Sequence, residues 1–277
     1  MSRRLAFLGP PGTFSEEAAL RYDPQAQLLP FVSISAVAAA IDSGMADEGV
    51  VPIENSLEGS VPETLDILIH DSRLSVRNEI VLPIEHLLLA RPGTRPSDVK
   101  VISSVPQALA QCRGFIERCF PKAVLEAALS TAAAVEEMAE RENAAAIGNR
   151  RAAELYGAEV LAEGIQDRSS NLTRFVVLAH EDHPPTGDDK TSLAFAFSVE
   201  DHPGLLVSAL EEFSSRGINL SKIESRPSKE RLGVYIFLAD LDGHRMEETL
   251  AESLERVHEK CSFFRVLGSY PRHREKG

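Results

Sequence analysis

The stretch Val51-Pro52-Ile53-Glu54-Asn55-Ser56-Leu57-Glu58-Gly59-Ser60 changes from apolar to polar after three residues, continuing an apolar run that opens at Gly49. A short run of this kind reads as a buried strand, and the loops that follow such strands in open α/β sheets are where ligand groups sit. Capping of backbone groups would also account for Asn55 and Ser56. The same rhythm recurs on both sides. Apolar runs at 5–8, 49–53, 99–103, 124–127, 144–147, 160–165 and 172–178 predict strands, most with helical periodicity between them. That alternation predicts an α/β fold with mainly parallel sheet.

Thr13 with Glu16 and Ser60 with Glu63 have the capping-box spacing, which marks two helix starts. After Pro106, Leu109, Cys112, Ile116 and Cys119 repeat at helical spacing, with Gln107, Gln111 and Arg113 on the other sides. That helix is expected mainly to cover the sheet. The rhythm stops at His180-Glu181-Asp182-His183-Pro184-Pro185-Thr186-Gly187-Asp188-Asp189, whose polar residues, paired prolines and glycine have linker composition. Beyond it, strands at 192–199, 218–226, 232–241 and near 263–267 alternate with helices at 203–216 and 246–260. The order βαββαβ is the ferredoxin-like α+β plan.

A chain of 277 residues suits two domains, and 43% hydrophobic with 26% charged residues suits a folded globular protein. The net charge of −13 argues against nucleic acid or an anionic membrane as partner; only Arg272, His273, Arg274 and Lys276 are locally basic. An anionic ligand therefore needs local donors, such as an arginine or helix N-termini. Cys112, Cys119 and Cys261 form no CxxC or Cys/His cluster, and the eight histidines lack ligand spacing, so no metal is expected. The apolar run 5–8 is too short for a signal peptide or a membrane span, and a cytoplasmic location is expected.

Two further stretches could carry chemistry. Gly9-Pro10-Pro11-Gly12-Thr13-Phe14-Ser15 turns from a strand into a helix whose first amides can receive an anion, although it is neither a Walker A loop nor a GxGxxG fingerprint. Asn171-Leu172-Thr173-Arg174-Phe175 sets a hydroxyl and a guanidinium at the entry to an apolar strand, where they need partners if they point inward.

The three stretches in this order, followed by the C-terminal pattern, resemble the prephenate dehydratase family. The matching segments are GPPGTFSEEAAL (9–20), VVPIENSLEGSV (50–61), QALAQC (107–112), STAAAVEEMA (130–139), AAELYG (152–157), IQDRSSNLTRF (165–175), HPGLLVSALEEF (202–213) and GINLSKIESRP (217–227). The resemblance implies a two-lobed, periplasmic-binding-protein-like catalytic domain over 1–180, with the substrate between its lobes, and an ACT regulatory domain over 190–277. It implies a lyase that converts prephenate to phenylpyruvate, water and CO2 without a cofactor, in L-phenylalanine biosynthesis, with L-phenylalanine as allosteric effector. A homodimer or homotetramer joined through ACT domains is implied as well. Arogenate dehydratase and a non-catalytic amino-acid sensor are the alternatives.

Carried onto this sequence, the family's catalytic threonine falls on Thr173, beside Arg174 and Phe175, and its other cleft groups on Glu54, Asn55 and Ser56. Substrate contacts fall on Thr13, Phe14, Ser130, Thr131, Ala132 and Asn171. Effector contacts fall on Gly204, Leu205, Asn219, Leu220, Glu224, Ser225, Arg226 and Pro227. Thr173 is expected to act as a positioned donor toward the leaving hydroxyl, with Glu54 as the competing acid, and Arg174 to hold the pyruvyl carboxylate. Two departures stand out. Ser104-Val105-Pro106 replaces a common Ser-His-Pro, and Gly204-Leu205-Leu206 replaces a common Gly-Ala-Leu, whose larger side chain could narrow the effector pocket.

Overall fold

The computed structural model describes residues 2–197, 203–229 and 233–274. Val199 and Leu232, the expected limits of two strands, His202 of the HPGLL segment and Lys276 of the basic tail lie outside the described residues. By internal contacts the chain forms two compact units, Met1–Thr64 with Ile80–Phe175 and Leu65–Glu79 with Val176–Gly277.

In the first unit, β1 (Arg4–Leu8) is followed by α1 (Phe14–Tyr22), β2 (Gln27–Phe31), α2 (Ile34–Asp42) and β3 (Glu48–Asn55). β1 lies between β2 and β3 in parallel ladders, with Leu5 opposite both Leu28 and Glu48. Leu5, Ala6 and Phe7 are accordingly buried, as parallel strands covered on both faces must be. β3 turns back into β4 (Gly59–Ser60), with Glu54 opposite Ser60, and α3 (Pro62–Asp66) follows. β5 (Ser75–Pro83) then crosses from the second unit's residues into the first.

A second sheet is built from β6 (Leu87–Ala90), β7 (Val101–Ser104), α4 (Pro106–Gln111), α5 (Arg113–Cys119), β8 (Val124–Ala127), α6 (Thr131–Ala139), β9 (Ala144–Gly148), α7 (Arg150–Tyr156) and β10 (Glu159–Ala162). Its strand order is β10-β6-β9-β7-β8. β7 runs parallel to β8 and β9, but β6 runs antiparallel to β9 and β10. The sheet is therefore mixed, where mainly parallel pairing was expected. β11 (Leu172–Ala179) closes the first sheet in the order β2-β1-β3-β11-β5.

Two expected caps and one helix need correction. Thr13 Oγ1 accepts from the Glu16 amide at 3.4 Å, but the Glu16 carboxylate accepts from Gly12 N at 2.6 Å instead of from Thr13. At the second expected box the carboxylate is engaged elsewhere. Ser60 belongs to the β4 ladder, and Glu63 Oε1 accepts from Ser35 N in the first turn of α2. The helix after Pro106 breaks at Cys112, so Cys112 is buried while Cys119, expected on the same face, is exposed.

In the second unit β12 (Asp189–Ala196), α8 (Leu205–Ser214), β13 (Leu220–Pro227), β14 (Tyr235–Asp242), α9 (Glu248–Lys260) and β15 (Phe263–Pro271) give the expected βαββαβ plan. The sheet order is β13-β14-β12-β15, antiparallel throughout. Leu193, Phe195, Phe213, Leu241, Leu250, Leu254 and Val257 form its core. Met246, read as part of the α9 apolar face, precedes the helix and is exposed. β12 also starts inside the stretch read as linker, where the Asp189 carboxylate accepts from Thr186 N and Oγ1 and from Gly187 N. Segment Leu65–Glu79 packs within this unit: Arg265 Nη2 donates to Ser72 O at 2.6 Å, and Lys190 pairs with the buried Glu79 at 2.8 Å.

Among the described residues no helix is long and apolar enough to cross a membrane, and no cluster of three or more His, Cys, Asp or Glu side chains is placed to hold a metal ion.

Candidate active site

The end of β3 and the start of β11 meet the amino ends of α1, α4 and α6 around a cavity of about 410 Å³ in the first unit. Thr13, Phe14, Asn55, Ser130, Thr131, Asn171, Thr173 and Phe175 all line it, so eight of the expected site residues converge from segments far apart in sequence. Glu54, Ser56, Ala132 and Arg174 do not line it. Strand pleating gives the reason, since alternate residues face opposite sides of the sheet. Thr173 and Phe175 face the cavity while Arg174 takes the other side, where its Nη2 meets Glu54 Oε2 at 3.1 Å. Ser56 Oγ donates to Ser170 O and accepts from Leu172 N, tying the two loops together. Ala132 is fully buried against Gly12, whose φ of +86° and close surroundings disfavour a side chain.

Hydrogen bonding fixes the roles of the polar groups. Asn55 Oδ1 accepts from the amides of Leu57 and Glu58 at 2.9 and 3.1 Å, so its Nδ2 is the group that donates onward. It donates to Thr173 Oγ1 and to Asn171 Oδ1, both at 2.8 Å. Because Nδ2 can only donate, Thr173 Oγ1 accepts there and its own hydrogen is left for the cavity. Asn171 Nδ2 donates to Gln111 Oε1 at 3.1 Å, and His86 Nε2 lies 2.9 Å from the same oxygen. Gln111 Nε2 in turn donates to the Glu58 carboxylate at 3.4 Å. Backbone donors at one end and a carboxylate acceptor at the other impose one polarity on the chain Thr173–Asn55–Asn171–Gln111–His86. His86 therefore carries its proton on Nε2.

His86 was not among the residues singled out in the sequence, and Gln107 and Gln111, placed on the sides of the helix away from the apolar face and given no site role, both line the cavity. Only the i, i+4 spacing of the two glutamines on α4 could have hinted at a shared face. His86 is one histidine among eight and follows Ile84 in the segment between β5 and β6, with no motif around it. Its burial depresses its basicity below the ordinary 6.5, partly offset by the bond to Gln111. Burial pushes the Cys112 thiol up to about 12, which makes it a packing group.

None of the residues that line the cavity is charged. Instead the first turns of α1 and α6 open onto it, with Thr13 and Ser130 as N-caps; Ser130 Oγ accepts from Ala133 N at 2.9 Å. Such ends present unpaired amides and positive dipole ends to anions.

The prephenate dehydratase family model matches residues 5–183, and the ACT domain model matches 194–259. The chain belongs to the prephenate dehydratase family. Within it, the bifunctional chorismate mutase/prephenate dehydratase of Aquifex aeolicus (strain VF5) is 44% identical over 271 residues, covering 97% of this chain and 74% of that protein. The crystal structure of prephenate dehydratase in complex with L-Phe from Arthrobacter aurescens aligns with a TM-score of 0.87 at 39% identity, over 97% of this chain and 90% of that one. GqqA, described as a novel type of quorum quenching acylase, aligns with a TM-score of 0.88 at 31% identity over 98% of both chains.

The segments expected to bind the effector lie in the second unit. Gly204, with φ of +98°, precedes α8, which opens with Leu205. Asn219 leads into β13 and its Nδ2 donates to Asp242 Oδ2. Leu220, Glu224, Ser225, Arg226 and Pro227 lie on β13, an edge strand of the sheet. Arg226 is paired with Asp66 at 2.5 Å, as is Lys229.

Proposed function

We propose that this chain is a prephenate dehydratase that removes carboxylate and hydroxyl from prephenate in one fragmentation, giving phenylpyruvate, CO2 and water. The carbon–carbon bond to the ring carboxylate breaks, its electron pair completes the aromatic ring, and the carbon–oxygen bond releases hydroxide, which takes up a proton to become water. Aromatisation drives the step, so the site need only orient the substrate and assist the leaving hydroxide. The observation that carries this reading is the Thr173 hydroxyl at the cavity, whose oxygen accepts from Asn55 and so leaves its hydrogen for a ligand.

The two carboxylates of the substrate are received by the first turns of α1 and α6, near Thr13 and Phe14 and near Ser130 and Thr131. Neutral donors suit the departing carboxylate. A guanidinium clamped on it would stabilise the ground state more than the transition state. Arg174 therefore acts by fixing Glu54, and with it the loop that carries Asn55, in place of the direct carboxylate contact expected from sequence. Glu54, engaged by Arg174 and away from the cavity, leaves the donor role to Thr173.

Residues 1–180 are read as the catalytic domain and 190–277 as an ACT regulatory domain that binds L-phenylalanine around Gly204, Leu205, Asn219 and the segment 224–227. Pairing of two copies along the β13 edge, where Ile223 is 44% exposed, gives a homo-oligomer. The enzyme works in the cytoplasm.

Likeness to an acylase suggests a second reading. Acyl transfer needs a nucleophile hydrogen-bonded to a base. Here the cavity's buried histidine is bonded to Gln111 and its threonine to Asn55, and no cysteine lines the cavity. That arrangement favours the dehydratase. The test is phenylpyruvate formation from prephenate, run beside arogenate and an N-acyl homoserine lactone. Turnover of prephenate with the highest kcat/KM supports the proposal, and turnover confined to either of the other two overturns it.

A further inference from the structure

His86 is the cavity's one imidazole, only 3% exposed, and its two ring nitrogens have different fates. Nε2 donates to Gln111 Oε1, at the end of a hydrogen-bond chain whose polarity is set from both ends. Nδ1 is buried and meets no hydrogen-bond partner among the described residues. In the Nε2–H tautomer Nδ1 is a bare acceptor. Buried acceptors without a donor are rare and costly and call for an explanation, and this one belongs to a side chain that lines the ligand cavity.

The ring cannot easily turn away. The Phe14 ring packs edge-on against it with centroids 6.0 Å apart. The backbone on either side of the side chain is also held, His86 N donating to Gln166 Oε1 at 2.9 Å and Ile165 N donating to His86 O at 3.1 Å. Burial keeps the imidazole neutral, which preserves the acceptor.

Granting the prephenate reading above, the ligand's own chemistry names the partner. The prephenate dianion offers carboxylate and keto oxygens, all acceptors, and a single donor, its ring hydroxyl. We propose that His86 Nδ1 accepts the hydrogen of that hydroxyl and so makes His86 a substrate-binding residue that orients the leaving group. With its hydrogen committed to His86, the hydroxyl oxygen turns a lone pair toward the Thr173 hydroxyl. The same contact makes the site selective for the configuration of the carbinol carbon, since the epimer would present its hydroxyl elsewhere.

Two substitutions separate the ring nitrogens. His86→Asn sets an amide oxygen at the distance of Nδ1 from the backbone, and His86→Gln sets its amide at the distance of Nε2 and removes the Nδ1 acceptor. In a wild-type enzyme first shown to turn over prephenate, His86→Asn should hold kcat/KM within about threefold, and His86→Gln should lose about tenfold or more at unchanged Tm. Equal activity of His86→Gln and wild type, or equal losses in both variants, overturns the inference. Should His86→Gln lower Tm, the deciding measurement is 15N NMR of histidine-labelled Thr173→Val enzyme saturated with prephenate. The His86 Nδ1 resonance moving upfield from the bare-nitrogen position supports the contact, and an unmoved resonance rules it out. Absence of wild-type turnover would instead refute the dehydratase reading itself.

Discussion

Thr173 has one donor and one accepted bond, and the two are not interchangeable. Asn55 Nδ2 occupies the oxygen at 2.8 Å, which leaves the hydroxyl hydrogen for the substrate. Thr173→Val keeps the shape and deletes the donor, so kcat should fall about 10²-fold or more with KM little changed, while Thr173→Ser should retain most activity; steady-state kinetics on prephenate checks both. Asn55→Asp turns a donor into an acceptor facing Thr173 Oγ1 and Asn171 Oδ1, and should cost turnover without loss of secondary structure by circular dichroism. His86 gives a pH signature. Its basicity is depressed in the fold, so the unfolded chain binds the extra proton first and its contribution to stability is complete above about 6.5 and lost as pH falls through the folded value. Between pH 7 and 5 the urea midpoint should therefore fall more steeply for wild type than for His86→Asn.

Elements meet where side chains of one strand or helix hold the next. Gly268 on β15 approaches β5 within the second unit so closely that an added Cβ would lie 2.1 Å from Val76 O, and its φ of +151° suits glycine alone. Gly268→Ala should destabilise the protein by about 2 kcal/mol or more, because backbone cannot yield as a flexible side chain would; urea denaturation measures it. Asp66, which closes α3, binds both Arg226 and Lys229 and so fixes the β13 segment that is proposed to receive the effector. Asp66→Asn should leave basal turnover near wild type and raise the L-phenylalanine concentration for half inhibition several-fold. An unchanged inhibition curve would separate Asp66 from regulation.

For the molecule as a whole, regulation is a coupling free energy between catalytic and effector sites, and coupling is reciprocal. The factor by which L-phenylalanine weakens binding of prephenate to the Thr173→Val enzyme should equal the factor by which prephenate weakens L-phenylalanine, measured by titration calorimetry. If two copies share the effector at the β13 edge, L-phenylalanine should also raise the sedimentation coefficient at low protein concentration.

Much of this was legible in the residues. The βαββαβ order of the C-terminal half and the strand positions of the N-terminal half followed from periodicity, which reports burial locally. Strands β2, β4, β5 and β6 were not. β2 carries Pro30, tolerated at a sheet edge, and β5 carries Arg77, Asn78 and Glu79, whose polar side chains hide a strand until Lys190 is seen beside Glu79. Asn55 and Thr173 could be named from their motifs, whereas Gln111 lay in a matching segment without an assigned role and His86 in no recognised pattern. The sequence by itself determined most of the strands and helices, the family, and the pair of loops that carry the polar groups. Only the tertiary structure decided which face of β11 looks into the cavity, that Arg174 turns to Glu54, and that His86 keeps a bare nitrogen, because pleat direction and hydrogen-bond polarity are set by partners distant in the chain.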